Sequence, residues 1–512
     1  MDKRVVLFIL LSLLILLSWS AFVSKPYSID NKEVTQQIST INSPLAPASA
    51  SVQSIPMAND VPETQAPVLF NFQQKNFEVF FDESKAAIDE VVFKTYNSYK
   101  FPLKYGLLLG DKSLLFKKEN VSADSVTFTY DDATKKISKQ FIFSNSKYDM
   151  VLSIKIKNLT SAPLNVNLPL FLGLIDFSRK PEESQFIALT VATAEKTLHP
   201  NAHKDAVFGD LKFLGLRDRY FCAIIGPDKT SNYNGFIKKL TPQTSEIGLQ
   251  SQELVLAPNQ EIEHKFSIYI GPQELRLINE VKPEWASVIY YGTFDFIAQV
   301  LLQLLGFLFN LVHNWGVTII ILSILIYLVL LPLSLKQMRS MKQMQALQPH
   351  VEELKKNYKD NPQRLNKEIM ALYSQHKVNP LSGCLPLLLQ MPIFFALYQV
   401  LMRSVALKGS SFLWIKDLSE PDRLFLLPIS LPVLGNEVNI LPIIMAIGMF
   451  VQQKISTFSA GGTSASQQKI MLIVMPVVFG LIFYRMPSGL VLYWLINSIL
   501  MLVYQIRLNQ TK

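Results

Sequence analysis

The chain has 512 residues, of which 49% are hydrophobic and only 17% charged, with a formal net charge of +9. That apolar content exceeds what a soluble core needs, so a purely water-soluble globule is excluded. The two cysteines, Cys222 and Cys384, sit in segments of different character and read as unpaired buried thiols.

The N-terminus reads Met1-Asp2-Lys3-Arg4, followed by an apolar run over 5–23. At about 1.5 Å per residue this run crosses a ~30 Å hydrocarbon core. A cleavable signal peptide has a shorter apolar core, about 7–15 residues, although Ser18 and Ser20 offer a weak small-x-small cleavage site. The run is therefore expected to be an uncleaved signal-anchor helix, with Lys3 and Arg4 keeping its start in the cytoplasm. Residues 24–66, rich in Ser, Pro, Ala, Gln and Asn, read as a flexible linker.

From 67 to 280 the pattern turns to strands. Val126, Phe128 and Tyr130 alternate with threonines, Leu152, Ile154 and Ile156 with Ser153 and Lys155, and Phe266, Ile268 and Ile270 with Ser267 and Tyr269. Repeated short runs of this kind predict an all-β sandwich. His199 and His203 have ligand-like i,i+4 spacing, but Pro200 breaks the helix that spacing needs, so exposed loop histidines are expected. Asn120 and Asn158 begin glycosylation sequons of a kind common by chance. No nucleophile elbow, phosphate loop or Cys/His cluster is present, and neither catalysis nor a cofactor or metal is expected.

Residues 296–313 are apolar, but Gln299, Gln303, Gly306 and Asn310 share one helical face, which predicts an amphipathic helix lying in the membrane interface. Apolar runs follow at 317–335, 385–402, 440–451, 470–484 and 490–506. The third and fourth reach only roughly 18–23 Å as helices and need polar flanks or a thinned bilayer. Loop 336–378 carries nine Lys/Arg against four acids, so it is placed in the cytoplasm. An interfacial 296–313 satisfies that placement and a spanning one does not. The expected fold is an α-helical polytopic membrane bundle of six transmembrane helices, five forming the core, plus the sandwich on the outer side. Both termini are then cytoplasmic.

Within loop 336–378, Met338, Met341, Met344, Leu347, Val351 and Leu354 form one apolar stripe beside a basic face. Asp360-Asn361-Pro362 ends it, with Asn361 as N-cap and Pro362 at the first position of a second helix. The two make a helical hairpin whose stripes either pack on each other or offer a methionine edge to varied apolar partners. Its positive face suits lipid headgroups or ribosomal RNA.

Six groups of residues carry a family resemblance: Asn314-Trp315-Gly316, Ala371-Leu372-Tyr373, 377–384, Gln390-Met391-Pro392-Ile393-Phe394, Leu413-Trp414-Ile415 with Asp417-Leu418, and 486–493. In order and spacing they closely resemble the YidC/Oxa/Alb membrane protein insertases over about 300–510. The anchor and β-rich domain look like the Gram-negative YidC type, whose sandwich is periplasmic, sugar-mutarotase-like and without enzymatic activity. The resemblance implies an inner-membrane insertase and chaperone acting alone or with the Sec translocon. Its expected partners are nascent membrane proteins, SecYEG and associated Sec components, the ribosome and membrane lipids, with no DNA. It also implies a hydrophilic groove open to the cytoplasm and lipid, at matching positions Ser323, Tyr327, Gln390, Tyr493 and Trp494. Many members carry an arginine where Tyr327 stands, and no Lys or Arg lies within 317–335. The segment 424–438 is longer than the usual family loop, and either dips into the membrane or covers the outer face. A secondary transporter is the first alternative, but it calls for mid-membrane ionisable groups that are missing here. A membrane-anchored periplasmic binding module is the second. Insertion that survives deletion of most of 67–275 excludes it.

Overall fold

A computed structural model describes residues 68–510 except 111–112, 145–146, 168, 179–180, 229–232, 252–253, 360, 377–384, 432–434 and 458–464. The expected anchor 5–23, the linker 24–66, Cys384 and the motif 377–384 lie outside the described residues. The chain divides into two compact units, one β-rich and ending at Tyr290, the other helical from Tyr291 onward.

In the β-rich unit a nine-stranded antiparallel sheet has Asp149–Asn158 and Glu261–Pro272 near its middle and Lys117–Val121 at one edge. One four-stranded sheet comprises Leu69–Gln73, Phe77–Asp82, Ala87–Phe93 and Tyr99–Gly106; another contains Leu170–Asp176 and Thr244–Ser251. The predicted alternation sets the buried face: Val126, Phe128, Leu152, Ile154, Ile156, Phe266, Ile268 and Ile270 are all buried. Aromatic rings join the layers. Phe81 meets Phe128 at 5.6 Å and Phe141 at 4.9 Å, and Tyr233 meets Phe266 at 5.3 Å. These contacts make the unit a β-sandwich. Its charged edge strand, with Lys117, Lys118 and Glu119 exposed, discourages pairing with other chains.

The helical unit contains α1 (Asp295–Val312), α2 (Trp315–Ala346), α3 (Gln348–Asn357), α4 (Pro362–Gln375), α5 (Leu385–Arg403), α6 (Ile440–Thr457), α7 (Ala465–Phe483) and α8 (Ser488–Gln510). Helix α1 ends on His313 in the left-handed conformation, and Asn314 Oδ1 then accepts the Val317 amide at 3.1 Å to start α2. Two differences from the sequence reading have one cause. Helix α2 runs 32 residues through Pro332, well past 335, so Met338, Met341 and Met344 lie on the spanning helix itself; their side chains fall outside the described residues. Helices α6 and α7 have 18 and 19 residues, longer than their apolar runs because polar residues such as Gln452 and Gln453 extend them. An apolar run measures the length suited to lipid, whereas backbone hydrogen bonding sets where the helix stops. Among the described residues, three segments suit a crossing by length and composition: Gly292–Val312, Trp315–Leu335 and Ser488–Arg507. Ile440–Ile455 and Leu472–Phe483 are shorter apolar helices. Between α5 and α6, Phe425–Leu431 pairs antiparallel with Gly435–Val438, a β-hairpin whose residues 432–434 lie outside the described ones.

Candidate functional site

His199 is half-buried rather than exposed, stacked on Tyr290 at 4.1 Å and hydrogen-bonded through Nδ1 to the Thr190 hydroxyl. Burial, with a smaller contribution from Arg217, lowers its pKa to about 4. His203 packs on Phe177 instead, and no metal-ligand cluster occurs among the described residues. Asn158 is fully buried with its side-chain amide donating to the carbonyls of Ala162, Leu256 and Ala257, so it is closed to glycosylation. Burial raises Asp218 to about 6, but its carboxylate accepts from Tyr99 Oη at 2.8 Å and from the Tyr220 and Phe221 amides, which is a turn scaffold. Lys139 is fully buried and donates to the carbonyls of Ala86 and Leu107, joining strand Lys135–Phe143 to the four-stranded sheet. Burial lowers its pKa to about 7. Cys222 is free and buried, and burial pushes its thiol up. These perturbed groups serve packing.

In the helical unit the chemistry-bearing residues fall into two sets. The first gathers where α2, α6 and α8 begin and α5 and α7 end. Phe412 and Ile415 exchange both backbone hydrogen bonds at 2.9 Å, with Leu413 between them in the left-handed conformation. The resulting turn docks on α2 at Gly316, where an added Cβ would collide with the Phe412 ring. It docks on α8 through Gly489 N to Leu418 O (2.9 Å), Ser488 N to Glu420 O (2.8 Å) and Ser488 Oγ to Asp417 O (3.0 Å). Asp417 Oδ1 in turn accepts from the amide and hydroxyl of Ser419.

Beside this turn, Asp422 is 2% exposed, and its Oδ2 accepts from Ile440 N (2.9 Å), Leu441 N (3.0 Å) and Trp414 Nε1 (3.2 Å). A carboxylate held by the first amides of α6 also faces the positive end of that helix's dipole. Asn439 is 1% exposed, donates from Nδ2 to Tyr484 O at 2.7 Å and accepts Arg423 N at 2.9 Å. The Tyr484 hydroxyl closes the network on Glu437 O at 2.7 Å. Backbone and side-chain bonds thus tie the ends of α6, α7 and α8 to the 412–422 turn, which also packs on the start of α2, in one buried polar knot. Sequence reasoning did not assign it. Asp422 and Asn439 lie 17 positions apart around a loop, and nothing in their spacing signals a shared cap.

The second set comprises the sequence-predicted site residues farther along α2, α5 and α8. Ser323 is fully buried and donates to Ile319 O within its own helix at 2.7 Å. Tyr327 lies one turn beyond and is half-buried. Gln390 Nε2 donates to the hydroxyl of Tyr493, which is fully buried. Trp494 packs among Phe394 (5.5 Å), Phe479 (5.8 Å) and Phe483 (5.2 Å), drawn from α5 and α7. The structure therefore joins Gln390 to Tyr493 directly, places Trp494 in an adjoining aromatic cluster, and stacks Ser323 and Tyr327 along α2. Helix α8 packs against α2, α5 and α6, so these residues belong to one helix assembly. The cytoplasm-assigned hairpin is looser. Asn361 caps α4 by accepting Arg364 N at 3.1 Å with Pro362 at its start, yet α4 has no fully buried side chain, and among the described side chains of the preceding stripe only Leu347 and Val351 are buried.

Comparison with known proteins follows the same division. A family described as 60Kd inner membrane protein matches residues 307–512, and one described as YidC periplasmic domain matches 112–304. A membrane protein insertase YidC from Syntrophobacter fumaroxidans is 37% identical over 73% of this chain and 68% of its own length. The one from Pelobacter propionicus is 30% identical over 100% of this chain and 99% of its own. A crystal structure of an active YidC insertase with its first transmembrane domain resolved is similar at 20% identity with a TM-score of 0.41, covering 86% of this chain and 92% of that one.

Proposed function

We propose, from the premise that this chain belongs to the YidC family of membrane protein insertases, that it inserts and folds proteins of the bacterial inner membrane through a hydrophilic groove. The groove opens to the cytoplasm and lipid and is closed at the knotted end, and the protein works alone or beside the Sec translocon. Six helices cross the membrane, both termini are cytoplasmic and the β-sandwich is periplasmic. Helix α1 is long enough to cross, but its surface favours the interfacial placement. Ala298, Leu301, Leu305 and Leu308 are buried on one side, while Phe296, Val300, Phe307 and Leu311 are exposed next to the stripe of Gln299, Gln303 and Asn310.

The observation that carries the reading is the asymmetry of the bundle. One end is tied by Asp422, Asn439, Ser488 and the Phe412–Ile415 turn. The opposite end carries the basic hairpin, which suits ribosomal RNA and lipid headgroups. Between the two ends stand hydroxyls, an amide and aromatics. A polar stretch of a nascent chain resting there avoids full exposure of its backbone to hydrocarbon, which costs several kcal/mol per unsatisfied group on an approximate scale. The apolar part of the client then leaves sideways into lipid, with no nucleotide consumed and no covalent step. Ser323, Tyr327, Gln390, Tyr493 and Trp494 are the assigned groove residues, with Tyr327 offering a hydrogen bond where a cation would attract acidic clients. The test is photocrosslinking from positions 323 and 327 to ribosome-bound nascent chains, alongside Tyr327→Phe and Tyr327→Arg in cells depleted of their own insertase. Crosslinks at 327, with Tyr327→Arg favouring clients that have acidic outer segments, are expected. Absence of crosslinks with unchanged insertion by both variants refutes the role of Tyr327.

A further inference from the structure

The β-hairpin between α5 and α6 exposes apolar side chains that the bundle does not use. Phe425, Leu426 and Ile429 are 61%, 69% and 71% exposed. They lie on the outer strand, which pairs only with Gly435–Val438 among the described residues and contains Pro428. The base of the hairpin is charged and fixed. Arg423 Nε meets Glu437 Oε1 at 2.8 Å, Arg423 Nη2 meets Glu420 Oε2 at 3.5 Å, and the Tyr484 hydroxyl holds Glu437 O. A rigid stem thus carries an apolar strand, and its partner strand Gly435–Val438 leads into α6.

Apolar side chains exposed on both faces of a strand mark an interaction surface. Two observations choose its occupant. The strand Gly435–Val438 leads into α6, whose exposed apolar residues Ile443, Ile444 and Ile447 begin about one turn on, so the hairpin sits at the end of the apolar face that α6 exposes. Pro428 removes a backbone donor from the outer strand, which disfavours a strand added from a second protein. The unpaired edge also limits depth, because backbone groups left without partners do not lie in hydrocarbon. Charges at the stem match headgroup level, and apolar side chains match the acyl boundary just below it.

We propose that the hairpin is an interfacial wedge. Phe425, Leu426 and Ile429 enter the upper acyl chains of the outer leaflet while the strand backbone and the Arg423–Glu437 pair stay among the headgroups. This rests on the topology proposed above, in which the knotted end faces the periplasm. Anchored there, the wedge fixes the height of α6 in the bilayer.

The test uses the full chain carrying Cys384→Ser, since Cys222 is fully buried. An environment-sensitive fluorophore is placed at Ile429→Cys, at Leu426→Cys and, as a polar control, at Asn436→Cys, in phosphatidylethanolamine–phosphatidylglycerol proteoliposomes. Lipids brominated high on the acyl chain are expected to quench the labels at 429 and 426 about twofold, those brominated near the terminal methyl less, and neither the label at 436, as a boundary location requires. Strongest quenching from the terminal methyl places the strand in the core and overturns the proposal. So do unquenched labels whose emission depends on protein concentration, which assign the patch to a second copy. Reaction of Lys416→Cys with a membrane-impermeant maleimide in intact spheroplasts reads the side separately. Failure there removes the topology, and failure of quenching alone removes the wedge.

Discussion

Asp422 is the side chain whose loss should separate the knotted end from the rest of the bundle. Its Oδ2 satisfies the amides of Ile440 and Leu441 and the indole of Trp414. Trp414 is 37% exposed, so water replaces that bond at little cost. The two amides are buried at a helix start, and leaving each unpaired costs about 1–3 kcal/mol. The lost attraction between carboxylate and helix dipole adds roughly 0.3–1 kcal/mol. Asp422→Ala should therefore cost about 3 kcal/mol after partial entry of water, within the range for losing a buried cap and its partners. Asp422→Asn keeps an acceptor oxygen and should lose only about 1 kcal/mol, most of it the charge. Amide hydrogen exchange across 438–446 in detergent is the direct assay. A local opening made easier by 3 kcal/mol raises exchange about a hundredfold, and one made easier by 1 kcal/mol about fivefold. Exchange in Asp422→Ala equal to that of the parent, or greater in Asp422→Asn than in Asp422→Ala, refutes the capping role.

Gly316→Val should destabilise the bundle by several times more than substitution of a helical glycine with open space around it, because its Cβ falls on Phe412; thermal unfolding in detergent measures this, with Gly306→Val of α1, where nothing lies within 4 Å, as the reference. Gln390→Ala and Tyr493→Phe should be coupled in a double-mutant cycle by about 0.5–1.5 kcal/mol, since each removes one side of the same buried bond. Independent effects would place that contact outside the working state. Lys139 gives the β-rich unit a pH dependence. Its folded pKa of about 7 lies below the unfolded value, so between these values the unfolded chain binds the extra proton and stability rises with pH, by up to about 1.4 kcal/mol per unit above pH 7. Below pH 7 both states are protonated and this dependence stops. Denaturant unfolding followed through buried Trp285 should show the rise, and Lys139→Met should abolish it while lowering stability by about 1–3 kcal/mol through the carbonyls it deserts.

The β-rich unit was legible because one face of each strand is buried, and the two-residue period of Leu152, Ile154 and Ile156 records that burial directly. The cap at Asn361 was legible because its chemistry is local, completed within three residues. The knot was not, since its bonds join Asp422 to Ile440 and Ser488 to Asp417 across the fold. Helix ends were misjudged wherever hydropathy stood in for hydrogen bonding, as at the far end of α2. The histidines were misplaced because loop sequence does not show that Tyr290 lies on His199. The hairpin at 425–438 escaped because an apolar strand exposed on both faces gives no alternation to read.

The two residue sets in the helical unit also bear differently on Tyr327. The knot is held largely through backbone groups: Gly489 N, Ser488 N, the exchanged bonds of Phe412 and Ile415, and the first amides of α6. Those bonds are indifferent to the charge of a side chain three turns along α2. The assigned groove residues act through side-chain atoms, and there a phenol differs from a guanidinium in charge and in donor number. Exchange at 327 therefore leaves the closed end intact and changes only what the polar interior attracts. Strong dependence of insertion on client charge should thus be absent here, and appear with Tyr327→Arg without loss of hydrogen-exchange protection at 438–446. If that protection falls as well, the two sets are coupled and the separation argued from their bonding is wrong.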